Sequence, residues 1–169
     1  MKNILTVLVA MLFAQHISAQ TSLTKREIKT IRKTHEVSML AISIAKLAPS
    51  HAATAETKAA AQRLSEDYTQ IRQQVEGLAA KKNVSLEREM PQKSSKIVAW
   101  YDKKQGKDFD KAYLKGASKV NKGGICHVKK VFKRTDDPDV KDWSGKLLST
   151  LEMHKTLLKQ TCDIVKKQH

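Results

Sequence analysis

Three histidines and an Asp-Tyr pair are the residues whose type and spacing could hold a metal ion or a polar group inside this chain. His35, His127 and His154 fall at apolar-seam positions of helical stretches, and Asp67-Tyr68 lie on a stretch that would face them. Neutral imidazoles bind transition metals, so a mononuclear three-histidine site is one reading. The plainer one is a few hydrogen-bonded interior histidines. A carboxylate-bridged dinuclear centre needs several inward carboxylates and Glu-x-x-His pairs. The chain has no Glu-x-x-His pair, and Glu152-Met153-His154 is spaced wrongly for one helix face. The expectation is no metal and no cofactor.

Catalytic signatures are lacking. There is no GxSxG, no HExxH and no glycine-rich phosphate loop, so neither a nucleophile elbow nor a zinc hydrolase motif is encoded. The expectation is a protein that is not an enzyme. The two cysteines, Cys126 and Cys162, are too few and too far apart for a zinc knuckle or a CxxC redox pair. Cys162 sits on an inward seam. Cys126 would point nearly opposite its own seam unless Gly123-Gly124 turns the helix. A bridge between them would stabilise by about 2–4 kcal/mol; two free thiols are the alternative.

A different chemistry lies on the outside. Lys111, Lys115, Lys119 and Lys122 share a helix face at four–four–three spacing, and Lys129, Lys130, Lys133 and Arg134 extend it. The formal charge is +15. Such a balance favours anionic partners through long-range attraction, or serves only to solvate the surface. Lipopolysaccharide, polysaccharide or anionic lipid would fit. Nucleic acid is not expected, because interleaved stacking aromatics are absent.

These groups need helices to position them. Gly and Pro number 6 and 3, and long stretches lack both, which is helix composition. The spacing predicts a first helix over Leu23–Ala48, ended by Pro49. A second follows over Ala52–Lys82 with the seam Ala61, Leu64, Tyr68, Ile71, Val75, Leu78. A short third helix over Ser94–Lys104 offers Ile97, Trp100 and Tyr101 to the core. A fourth starts on an Asp108 cap, with a seam through Tyr113, Ala117, Val120, Gly124 and Val131. Gly123-Gly124 should bend it or admit a neighbouring helix closely. The last starts at Asp136-Asp137-Pro138 and runs to Lys166-Lys167 along Val140, Trp143, Leu147, Leu151, His154, Leu158, Cys162 and Val165. The fold class is therefore all-α: an antiparallel up-down bundle of four long helices and one short one.

Residues 1–19 read as a leader rather than as fold. Lys2 precedes the apolar run Ile4–Phe13, and Ser18-Ala19 supplies a small-residue cleavage region. The run is too short to span a bilayer, which takes about 20 apolar residues. Cleavage after Ala19 would leave residues 20–169 as one domain, periplasmic or secreted. Losing Lys2 lowers the charge from +15 to +14.

Three stretches resemble one bacterial family. Thr57–Tyr68 is similar to a "VKxFAxxMxxDH" helix. Gly106–Tyr113 is similar to "GxxFDxxY". Asp137–Lys141 with Leu148–His154 is similar to "DPxxK…LPxLxxH". The family is the exported, ferritin-like domain-of-unknown-function family 4142, whose members are often labelled membrane or outer-membrane proteins. The resemblance implies a ferritin-like bundle with inward polar groups. Here Ala41 stands where the family shows Glu, Asp67-Tyr68 where it shows Asp-His, and Val120-Asn121 where it shows a second Asp-His. Only His154 is kept. The leading expectation is an exported, envelope-associated binding protein that uses its basic face. The alternative is a small-ligand or metal-binding bundle with an eroded interior site at Asp67, Tyr68 and His154. Ligand, role and oligomeric state are not readable from these residues.

Overall fold

The computed structural model describes residues 22–168; the leader and cleavage point read above lie outside them. The first helix, α1 (Lys25–Ala45), opens on a reciprocal cap. The Thr24 side chain accepts from the Glu27 backbone, and Glu27 Oε2 accepts from Thr24 N at 2.6 Å. Two donors that a helix start leaves open are thereby satisfied. The helix stops at Ala45, short of the expected Ala48. Pro49 has no N–H to offer the carbonyl four residues back, so the ladder fails there. A single helical turn, α2 (Ala48–His51), then holds Pro49 near its start.

The next helix, α3 (Ala55–Lys81), begins three residues later than expected because Thr54 is its cap. It ends where Asn83 takes a positive φ of 55°. There Val84 N bonds Ala79 O and Asn83 N bonds Ala80 O, the pairing that closes a helix through a left-handed residue. Then come α4 (Gln92–Asp102), α5 (Gly106–Arg134) and α6 (Pro138–Gln168). Asp137 starts α6 as expected, its Oδ1 accepting from Asp139 N and Val140 N at 3.0 Å. Asp108 does not cap α5. The helix begins earlier, at Gly106 (φ +59°), and Asp108 lies within its first turn, where its charge favours the positive helix end.

Contacts at the two ends of the bundle set the topology. Thr54, near the end of the α1–α2 arm, bonds Asp110 at the start of α5. Lys82, at the end of α3, pairs with Asp137 at the start of α6. Gln168 reaches Glu56 at the other end of the same pair. The long helices therefore form a ring α1–α3–α6–α5 in which each neighbour is antiparallel. The all-α antiparallel bundle is as expected, with one addition. The chain runs up, down, down, up, because the segment carrying α4 returns it along the bundle from the end of α3 to the start of α5. On this path Ser94 donates to Glu36 of α1 and His51 pairs with Asp102. Among the described residues no helix is long and apolar enough to cross a membrane.

The core contains Ile31, Leu64, Ile71, Val75, Phe109 and Val140, with the α3 seam as read from the sequence and the α6 seam close to it. Two faces differ. Trp100 is 53% exposed and lies edge-on to buried Tyr101 beneath the Lys104 ammonium; α4 buries only one narrow side. On α5, Val120 is 42% exposed and Asn121 is buried instead. Asn121 gains a hydrogen bond to Leu151 O at 2.9 Å that rolls this part of the helix off the simple apolar pattern. The helix is unbroken through Gly123-Gly124. The expected close approach is present: a Cβ on Gly124 would stand 3.2 Å from Leu151 of α6.

Candidate functional site: an interior cavity beside the His154–Asp67 pair

Inside the ring lies a cavity of about 420 Å³, within the size range of small-molecule sites. Its walls are mostly apolar and include Leu40, Ile44, Leu64, Ala117 and Leu158. Exposed Lys119 and Val120 mark where it meets the surface, on the side of α4 and α5. Tyr68, Tyr101, Tyr113, Asn121 and His154 supply the polar groups.

His154 is 1% exposed. Its Nε2 stands 3.0 Å from Asp67 Oδ2, which also accepts from Arg63 Nε at 3.1 Å. Burial opposes charging of the imidazole, the Asp67 carboxylate favours it, and burial wins, so the pKa falls below the ordinary histidine value. The ring is neutral at pH 7. With Nε2–H given to the carboxylate, Nδ1 carries a bare lone pair. That atom is buried and has no partner.

Asn121, 3% exposed, is in the same condition. A carbonyl can only accept, so the amide nitrogen must face Leu151 O, and Oδ1 is left buried without a partner. An unpaired buried polar atom costs about 1–3 kcal/mol. Both residues line the cavity, while the two unpaired atoms themselves are covered by protein.

The phenols add donors. Tyr68 packs its ring 5.3 Å from His154, and burial pushes its pKa up to about 12. Tyr113 is also raised, by burial first and then by its neighbours Tyr68 and Tyr101. All three stay protonated at neutral pH. Tyr101 donates to Ala112 O at 3.3 Å.

The expected interior positions therefore meet. Tyr68 and His154 line the cavity, and Asp67 stands behind His154 as its partner. Ala41 lines it too. Asn121 was not marked as a site residue. The signal for it was a polar residue inside a seam, at the position aligned with the family's second Asp-His pair.

The three histidines do not converge. His35 pairs with Glu76 at 3.0 Å. His127 is exposed rather than buried, its Nδ1 2.9 Å from Gly123 O of its own helix. Among the described residues no group of three or more His, Cys, Asp or Glu could hold a metal ion. Nor do Cys126 and Cys162 form a bridge: both are free thiols. The helix is unbroken through Gly123-Gly124, and Cys126 is exposed on its outer face.

Lys111, Lys115, Lys119, Lys122, Lys129, Lys130 and Lys133 are all exposed. At about 100° per residue they fall within an arc of roughly 100° along α5. Among the described residues none of the seven is in an ion pair.

The Gly106–Tyr113 stretch has a structural task. Phe109 and Asp110 are fully buried, and Phe109 stacks on Tyr113 at 5.8 Å. Asp110 accepts from Ala53 N, Thr54 N and Thr54 Oγ1. It thereby locks the turn before α3 to the start of α5 and sets Tyr113 against the cavity.

A family model described as a domain of unknown function (DUF4142) matches residues 12–161. No curated protein and no solved structure matches the chain.

Proposed function

The chain belongs to the DUF4142 family of domains of unknown function, and from that premise we propose that it is an exported, non-enzymatic protein that binds a small, mostly apolar molecule inside its bundle. One observation carries this reading: a mostly apolar cavity of about 420 Å³ whose few polar lining residues are Tyr68, Tyr101, Tyr113, Lys119, Asn121 and His154. Apolar walls with a few convergent polar groups are the general form of a ligand site. Among the described residues no Ser, Thr or Cys lines the cavity, so none of them offers the His154–Asp67 pair such a nucleophile to activate. Lys2, the apolar run Ile4–Phe13 and Ser18-Ala19 support export. A single crossover connection is also the chain path of ferritin-like bundles, which supports that label for the fold.

The test is calorimetric titration of the protein with propylbenzene. Saturable binding is expected, and it should vanish in Ala117→Phe, whose ring would fill the cavity. Absence of binding to the wild-type protein, or undiminished binding to the filled variant, would refute the reading.

A second reading rests on the lysine stripe of α5. Seven exposed lysines without acidic partners support attachment to an anionic surface such as lipopolysaccharide, polysaccharide or anionic lipid. Retention on anionic vesicles that is lost between low and high salt would bear this out. Equal retention on neutral vesicles would count against it.

A further inference from the structure

We infer that the ligand is a single-chain amphiphile with an anionic head group, its apolar tail inside the cavity and its head in water at the mouth beside Lys119. This rests on the cavity reading above and adds the ligand's chemistry.

The charge at the mouth has one sign. Among the described residues Lys119 is the only Lys, Arg, Asp or Glu that lines the cavity, and it is exposed, so a bound molecule can meet it without carrying charge into the core. Lys115 and Lys122 stand about one turn to either side on the same helix face. Among the described residues none of the three is in an ion pair. Acidic groups that could neutralise them are absent or held elsewhere. From Lys111 to Arg134, α5 has no acidic residue. Asp102, the one acid of α4, pairs with His51. Glu36 of α1, next to the lining residue Val37, pairs with Lys33. Such a mouth attracts anions and repels cations. The interior makes a different demand. Leu40, Ile44, Leu64 and Leu158 offer apolar contact, and a charge taken in among them would lose its water at heavy cost. A charged head therefore stays outside, where Lys119 is, while an apolar tail gains by entering.

Volume limits the tail. A dry apolar cavity of about 150 Å³ takes one benzene, six carbons. On that scale the cavity of about 420 Å³ holds one alkyl chain of roughly 10–15 carbons, and not the paired chains of a phospholipid.

Four probes test this by calorimetric titration of the full protein at low ionic strength: decanoate, decanol, decyltrimethylammonium and hexanoate. Decanoate should bind about three- to tenfold more tightly than decanol, and the cation should be the weakest of the ten-carbon probes. Hexanoate should bind more weakly than decanoate, because its short tail leaves much of the cavity unfilled. Lys119→Glu, a change at an exposed position, should shrink decanoate's advantage several-fold and leave decanol affinity unchanged. If decanol or the cation binds as tightly as decanoate, or the advantage is undiminished in Lys119→Glu, the anionic head is overturned while the cavity reading stands. If hexanoate binds as tightly as decanoate, the anion is held at the surface alone and the placement of the tail is overturned. If no ten-carbon probe binds, the cavity reading itself fails.

Discussion

Asp67 on α3 and His154 on α6, 87 positions apart in sequence, meet at 3.0 Å in the interior of the bundle. The carboxylate fixes which imidazole nitrogen carries the proton and leaves the other a buried acceptor without a partner. Arg63, one helical turn before Asp67, holds the same oxygen from the outer side.

Replacing Asp67 by alanine would strip His154 Nε2 of its partner inside the bundle. The cost is that of a buried donor left unmet, about 1–3 kcal/mol. Urea unfolding should show this as a lower midpoint at an unchanged slope. A midpoint equal to that of the wild type would mean that the pair contributes nothing to stability.

The pH dependence has a definite sign. The folded-state pKa of His154 lies below the ordinary value, so the unfolded chain takes up this proton first. Stability is complete above about pH 6.5, the unfolded value, falls as pH drops below it, and levels off beneath the folded pKa. A second loss begins near the ordinary glutamate value of about 4.3. In Glu27, Glu36 and Glu76 burial acts to raise the pKa, but hydrogen bonds hold it down, joined by nearby cations at Glu36 and Glu76. Unfolding midpoints from pH 8 to about pH 2 should therefore fall in two steps, and His154→Gln should remove the upper one. An upper step that persists in the variant would assign it to another group.

Asp110→Ala should be among the most damaging single changes. Three donors around the start of α3 lose their acceptor at once. Each buried donor left unmet costs about 1–3 kcal/mol. A loss of about 3 kcal/mol is expected. A loss below 1 kcal/mol would show that the α3–α5 lock is not needed.

Gly116 and Tyr101 should be coupled. A Cβ at position 116 would stand 1.9 Å from the Tyr101 hydroxyl, so Gly116→Ala must push that side chain out of the cavity wall. Tyr101→Phe removes the colliding oxygen. The double variant should be more stable than Gly116→Ala alone, with a coupling of about 1 kcal/mol or more, as contacting residues show. Additive effects would mean that the two do not touch.

Much of the fold was legible because burial in this chain follows helical periodicity. The α3 seam from Ala61 to Leu78 and the run from Val140 to Val165 read directly, and Asp137-Pro138 announced its helix. Reading failed where one tertiary contact outweighed the local pattern. Asn121 replaced Val120 at the interior because Leu151 O offers it a partner. Trp100 stayed outside because α4 packs one narrow side. The α4 crossover was hidden because periodicity reports faces and not chain direction. At the site, Asp67, Tyr68 and His154 were read as interior. The cavity they border was not, since empty volume arises from the fit of several helices and from the small residues Ala41, Gly116 and Ala117 that line it.

The central claim is that this interior takes up a small apolar molecule. The most direct measurement is of intermolecular nuclear Overhauser effects between propylbenzene and the methyl-labelled protein. The account predicts effects from the ring protons to the methyl groups of Leu64, Ala117 and Leu158. No effects at saturating ligand, or effects confined to exposed methyls away from the cavity such as Met153 and Ile164, would contradict it.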